Sequence, residues 1–278
     1  MQLYQRYFEE ADPMVDLSGR AAIVTGGVSG MGLAIAKSLT QAGASVAVGS
    51  RSVTGLDDPR FRTELQQLQV ARQRVFAGPL DVTNQASVDT FVAEAQRVVG
   101  HVDLLINAAG MTSEQPVCGH DDALWNAILD TNLTGAFRMT RAVLPSMIDA
   151  GFGRIINIGS TAASVGWADN PAYCASKSGL LGLTRCVALE GAAHGVTCVM
   201  VSPTWVETEL MRRDVEEIVA REGNGRTVQQ AMAQIAAENP QNRIIQPSEV
   251  ADLVTFLCSD AARGLTMENI QVTGGALW

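Results

Sequence analysis

The sequence predicts an α/β domain built on a doubly wound, parallel, seven-stranded sheet flanked by helices. Three observations carry this expectation. Short apolar runs rich in β-branched residues alternate with longer stretches of helical periodicity. The runs are continuously apolar, as suits parallel strands buried on both faces. The helical stretches lie between the runs, where crossover connections belong. A chain of 278 residues, 47% of them apolar, is ample for one such domain with a sizeable core.

Taken in order, residues 1–16 stand outside the alternation. They carry Glu9, Glu10 and Asp12 with no apolar segment, so they read as an N-terminal extension rather than a secretory leader. With Tyr4, Tyr7 and Phe8, that extension would either pack on a neighbouring subunit or fray. The domain proper is expected over 17–278. Its first strand is RAAIVT (20–25), followed by a helix over 30–43 that is apolar at Leu33, Ala34, Ala36 and Leu39 and is ended by Gly43. Further strands are expected at 45–50, 74–81, 102–110, 154–160, 196–203 and 270–275, and helices at 84–99, 121–149, 171–193 and 247–259. A helical insert over 205–240, interrupted by Gly223-Asn224-Gly225, follows the sixth strand. An insert at a strand's carboxyl end is well placed to cover a cleft. No repeat, linker or low-complexity segment divides the chain.

A net charge of −9 argues against nucleic acid, an anionic membrane surface or an acidic carrier protein as partner. Cys118, Cys174, Cys186, Cys198 and Cys258 are odd in number and lack CxxC spacing. They read as buried free thiols of a reducing compartment. With three histidines and no His/Cys cluster, no metal site is expected. No run of 18 apolar residues suggests a membrane span. The expectation is a cytoplasmic enzyme or binding protein.

The first strand runs into Thr25-Gly26-Gly27-Val28-Ser29-Gly30-Met31-Gly32. Glycines at 26, 30 and 32, between a strand and an amphipathic helix, permit a tight turn and close approach of a pyrophosphate to the helix N-terminus. This is a Rossmann-type dinucleotide site. At the end of the second strand, where NAD-preferring sites carry an acidic residue, stand Ser50 and Arg51. Losing the carboxylate removes repulsion, and a guanidinium can pair with a 2′-phosphate. NADP(H) is therefore favoured over NAD(H).

Tyr173 and Lys177, in YCASK, are four residues apart and so share a helix face. With TGGVSGMG, NAAG at 107–110, Asn132 in DTNLTG and Ser160 in INIGS, the ordered set resembles the short-chain dehydrogenase/reductase family from about Leu17 onward. The resemblance implies strand order 3-2-1-4-5-6-7 and assembly as a homotetramer, or a homodimer. It implies a catalytic set of Asn132, Ser160, Tyr173 and Lys177. In the cofactor site it places Gly26, Ser29, Gly30, Met31 and Gly32 at the pyrophosphate turn, and Asp81 and Val82 at the adenine ring. It has Asn107, Ala108 and Gly110 line the cofactor and steady the sheet. Pro203, Val206 and Thr208 fall at the nicotinamide, and Lys177 at its ribose. Two positions depart from the family pattern: NAAG replaces NNAG, and Pro203-Thr204 replaces proline-glycine.

A hydride moved to or from carbon requires a proton moved on oxygen. A tyrosine's ordinary pKa of about 10 is too high for a base near neutrality. Lys177 and an oxidised nicotinamide are expected to lower it. Ser160 can hydrogen-bond the substrate oxygen, and Asn132 resembles the family residue that holds a relay water. Trp167, Trp205, Leu210 and Met211 suggest an apolar pocket, and so a small ketone or alcohol with apolar flanks. The C-terminal stretch NPQNRIIQPSEVADLVTFLCSDAA resembles hydroxybutyrate dehydrogenases, which carry a substrate-binding histidine where Ala162 stands here. Arg212 and Arg213 could meet an anionic substrate or face solvent. An NAD(H)-dependent enzyme and a non-catalytic dinucleotide-binding regulator remain the alternatives; the complete Asn-Ser-Tyr-Lys set argues against the second.

Overall fold

A computed structural model describes residues 15–51, 63 and 73–276. Most of the N-terminal extension, with Tyr4, Tyr7 and Phe8, lies outside the described residues. The sheet has seven parallel strands in the order β3-β2-β1-β4-β5-β6-β7. They are β1 (Ala21–Thr25), β2 (Ser45–Ser50), β3 (Val75–Pro79), β4 (Leu104–Asn107), β5 (Gly153–Ile158), β6 (Val196–Pro203) and β7 (Asn269–Val272). Every residue of β1, β4, β5 and β6 is buried, which is why these runs carry no polar alternation. The expected 74–81 and 102–110 strands are shorter than their apolar runs. Pairing stops at Pro79 and Asn107, and the residues after them, 80–81 and 108–110, become loops at the carboxyl edge.

Helices cover both faces. On one side α1 (Gly30–Gln41) packs against α8 (Pro247–Leu257), around Ile35, Leu39, Val250 and Val254. On the other, α2 (Gln85–Val99), α4 (Gly135–Ala150) and α5 (Pro171–Gly191) enclose Phe91, Met139, Met147 and Val187. The expected helix over 121–149 is divided. α3 (Asp122–Leu129) passes into a π-helical turn, Asp130–Thr134, before α4 begins.

The insert folds as two helices, α6 (Glu209–Glu222) and α7 (Val228–Glu238), each N-capped by a threonine, Thr208 and Thr227. Gly223 ends α6 at φ +59°, a left-handed position that glycine fills without strain. Met211, Val215 and Ala231 give the pair a small core of its own. The cysteines are corrected in part. Cys198 and Cys258 are buried free thiols, but Cys118 and Cys186 are exposed and Cys174 half-buried. Those three sit in a loop or on helix faces that the apolar pattern around them did not resolve.

Candidate active site

At the carboxyl edge of a doubly wound sheet, the loops after adjacent strands frame a crevice where the strand order reverses. Here that point lies between β1 and β4. Gly26 turns the chain out of β1 at φ +66°, and a Cβ there would meet Ala109 Cα at 2.9 Å. The turn and the segment after β4 are thus pressed together, and Thr25 locks them. Its Oγ1 accepts from the N–H groups of Ala108 and Ala109, at 3.1 and 3.0 Å. Sequence reasoning missed Thr25; its hydroxyl at a strand end was the available signal. Ser29 is the N-cap of α1, and its side chain makes no capping bond.

A cavity of about 220 Å³ opens at this edge. Met31 of the turn, Ala108 and Gly110 after β4, and Pro203, Val206 and Thr208 after β6 contribute to its wall. Ser160, Tyr173 and Lys177 line the same space. Gly26, Gly30 and Gly32 form the turn beside it, with Gly30 opposite Thr208, whose Cγ2 a Cβ would approach to 3.4 Å. Gly110 keeps the floor clear: a Cβ there would stand 3.5 Å from Asn132 Oδ1 and 3.9 Å from Lys177 Nζ. A glycine turn, a bare floor and a lysine at the edge fit a nicotinamide dinucleotide laid across the crevice.

The remaining predicted residues divide. Ser50 ends β2 and is buried, while Arg51 is exposed and feels the Asp81 carboxylate. Asp81 accepts from Thr83 N–H and Oγ1 at 3.0 and 2.7 Å. Val82 is buried against Gly135. The Asn107 side chain is outside the cavity wall. Its Nδ2 donates to Asn157 Oδ1 at 2.8 Å, stitching β4 to β5.

Asn132 is buried in the π-helical turn. Its Oδ1 accepts from Met111 N–H at 2.8 Å, and its Nδ2 donates to Met111 O at 2.9 Å and Ser176 Oγ at 3.1 Å. Its side chain is therefore committed to protein partners. Lys177 Nζ donates to Ile158 O at 2.8 Å and lies 5.6 Å from the Tyr173 ring centroid. Burial lowers its ammonium to about 8. The expectation that Lys177 draws the Tyr173 phenol down does not describe the balance of effects on that phenol, in which Lys177 has no part. Burial pushes the phenol up, a hydrogen bond with Ser160 opposes the rise, and the charge of Asp214 adds to it.

The insert closes the cavity from above through Leu210, Met211, Asp214 and Arg221 of α6. Trp205 stacks on Trp167 with ring centroids 5.8 Å apart and planes 17° from parallel. Arg221 hydrogen-bonds and ion-pairs with Glu114 across the mouth. Arg212 and Arg213 are exposed and outside the wall. Thr204, at the departure from proline-glycine, donates its N–H to Val272 O at 3.2 Å, which pins this loop to β7. Sequence reasoning reached the substrate-lining segments Met111 to Pro116 and the insert from Trp205 but did not single out Glu114, Asp214 and Arg221 within them, because charges on a surface helix or loop read as solvated.

A parallel sheet with a glycine-turn crevice and a serine, tyrosine and lysine at its edge defines an oxidoreductase of ketones and alcohols. The comparisons agree. The short chain dehydrogenase family model matches residues 20–218, and the chain belongs to that family. It is 35% identical to the D-beta-hydroxybutyrate dehydrogenase of Cupriavidus necator, over 94% of this chain and 96% of that protein. It is 32% identical to the 3-oxoacyl-acyl-carrier-protein reductase of Escherichia coli, over 94% and 98%. A crystal structure of an actinorhodin polyketide ketoreductase with NADPH superposes with a TM-score of 0.86 at 36% identity, covering 92% of this chain and 97% of that one.

Proposed function

We propose that the protein is an NADP(H)-dependent carbonyl reductase or alcohol dehydrogenase that uses Tyr173 as its general acid and base. The observation that carries this is the meeting of Ser160, Tyr173 and Lys177 in one cavity with Met31, Pro203 and Thr208. The bound nicotinamide supplies or accepts the hydride. Ser160 Oγ hydrogen-bonds the substrate oxygen and holds it against the Tyr173 hydroxyl. Tyr173 gives that oxygen a proton in reduction and takes it back in oxidation. Lys177, fixed by the Ile158 carbonyl, is placed to bind the cofactor ribose and to favour phenolate when the cofactor is in place. With the Asn132 side chain engaged, the relay water is assigned to its main-chain carbonyl. Arg51, exposed at the end of β2, is assigned to the 2′-phosphate.

A Tyr173→Phe variant should bind NADPH as wild type does, by fluorescence titration, and lose turnover by at least ~10²-fold. Near-normal turnover rejects the mechanism. The NAD(H) reading keeps one observation in its favour, since Asp81 already answers part of the Arg51 charge. Arg51→Ala decides between them. It should lower kcat/KM for NADPH by about tenfold or more and leave that for NADH within about threefold. A wild type without NADPH preference would reverse the assignment. Assembly as a homotetramer or homodimer belongs to the same reading and would cover Phe137 and Leu189, apolar and exposed on α4 and α5.

A further inference from the structure

We propose that the substrate carries a positively charged amine beside its reacting carbonyl or alcohol, and that Asp214 determines this preference with Trp167 and Trp205. The inference rests on the oxidoreductase reading and adds a substrate class to it.

Asp214 projects from α6 into the cavity that holds Ser160 and Tyr173. Among the described residues it has neither a hydrogen bond nor an ion pair, though it is half-buried. Of the charges near it, Arg213 acts on it favourably but makes no ion pair with it, so the carboxylate keeps its hydrogen-bonding capacity for a group bound in the cavity. Its charge acts on the Tyr173 phenol, and both side chains line one cavity, so a group bound to Asp214 shares that cavity with the reacting oxygen. Among the described residues, Glu114 and Glu217 line the same cavity, and the one arginine in its wall, Arg221, is paired with Glu114. On the substrate side the wall therefore carries three carboxylates against one guanidinium. Lys177 sits below, on the cofactor side.

A second feature points the same way independently. Trp167 and Trp205 form a stacked aromatic wall in this cavity, and indole faces attract cations more strongly than other rings do. A carboxylate and an indole wall in one cavity suit an ammonium and disfavour a carboxylate substrate. Burial raises Asp214 to about 6, the Arg213 charge opposes this, and Glu217 and Glu114 add to the rise. Above neutral pH it is ionised and ready for a cation.

The test uses three methyl ketones of equal chain length that end in a dimethylammonium, an isopropyl or a carboxylate group. Reduction is followed by NADPH absorbance at pH 7.5. Wild type should show kcat/KM at least ~10-fold higher for the ammonium ketone than for the isopropyl one, and at least ~10-fold lower for the carboxylate. In Asp214→Asn the ammonium preference should fall below about threefold, mainly through KM, and Asp214→Glu should retain most of it. An ammonium ketone no better than its isopropyl analogue overturns the inference, as does a preference unchanged in Asp214→Asn. In either case turnover of the isopropyl ketone leaves the oxidoreductase reading standing. Failure to reduce any of a wide carbonyl panel with NADPH or NADH overturns both.

Discussion

Tyr173 and Lys177 show how burial sets the acid–base character of a site before any cofactor enters it. Both are drawn toward their neutral forms, the phenol upward and the ammonium down to about 8. A neutral phenol is the proton donor that carbonyl reduction needs, and a phenolate is the acceptor that alcohol oxidation needs. On the proposed mechanism, reduction depends on a protonated Tyr173, raised from its ordinary value, and a protonated Lys177, lowered to about 8. Its kcat/KM should be level through neutrality and fall as pH rises beyond that point, whereas oxidation should rise over the same range. Stopped-flow pH profiles in both directions check this, and reduction that speeds up from neutral to alkaline pH would contradict it. The meeting of Ser160, Tyr173 and Lys177 at one cavity was legible in the sequence because Tyr173 and Lys177 share a helix face and Ser160 ends a strand. The source of the phenol's shift was not legible, because it depends on what buries Tyr173 rather than on the four-residue spacing.

At the scale of the element, the turn between α3 and α4 shows what periodicity conceals. The apolar pattern over 121–149 runs through residues 130–134 without a break, yet the backbone there widens to a π-turn. Such turns recur at functional positions because they re-aim one side chain without ending the helix. Here the turned-in side chain is Asn132, which holds both main-chain polar groups of Met111. Met111 follows Gly110 at the cavity floor, so the helix positions the loop on which the cofactor would lie. Asn132→Ala leaves the Met111 N–H and C=O without these partners. It should cost about 1–3 kcal/mol in a urea melt and lower kcat as well. Full stability with lost kcat would place the role of Asn132 in chemistry alone. The strands were readable because burial on both faces leaves an unmistakable apolar run. Asp214 was not, because a carboxylate on an amphipathic helix looks solvated until the cavity beneath it is known.

Over the whole molecule, a charged cluster and the cavity sit at opposite ends of one sheet. The carboxyl edge holds the cavity. The amino edge holds a cluster around Phe152, whose ring lies 3.5 Å from the Arg20 guanidinium carbon and 4.3 Å from that of Arg154. Arg20 pairs with Asp103 at 3.3 Å, and Asp103 also accepts from the Ala21 N–H at 2.9 Å, joining β1 to β4. Arg154 is buried in β5, donates to Gly153 O and Gly195 O, and reaches Asp260 at 3.4 Å. A buried guanidinium needs every such partner, and the Phe152 ring supplies one that no hydrogen bond replaces. Phe152→Ala removes a ring that contacts both guanidinium groups and leaves the mutual repulsion of Arg20 and Arg154 without it. It should lower the unfolding free energy by about 2–4 kcal/mol while kcat/KM stays within about twofold, because the altered end of the sheet lies a strand's length from the cavity. Denaturant titration alongside steady-state kinetics separates the outcomes. A variant that keeps its stability but loses kcat/KM would mean that the two edges are coupled through the sheet, which strands fixed along their whole length by buried neighbours should not allow.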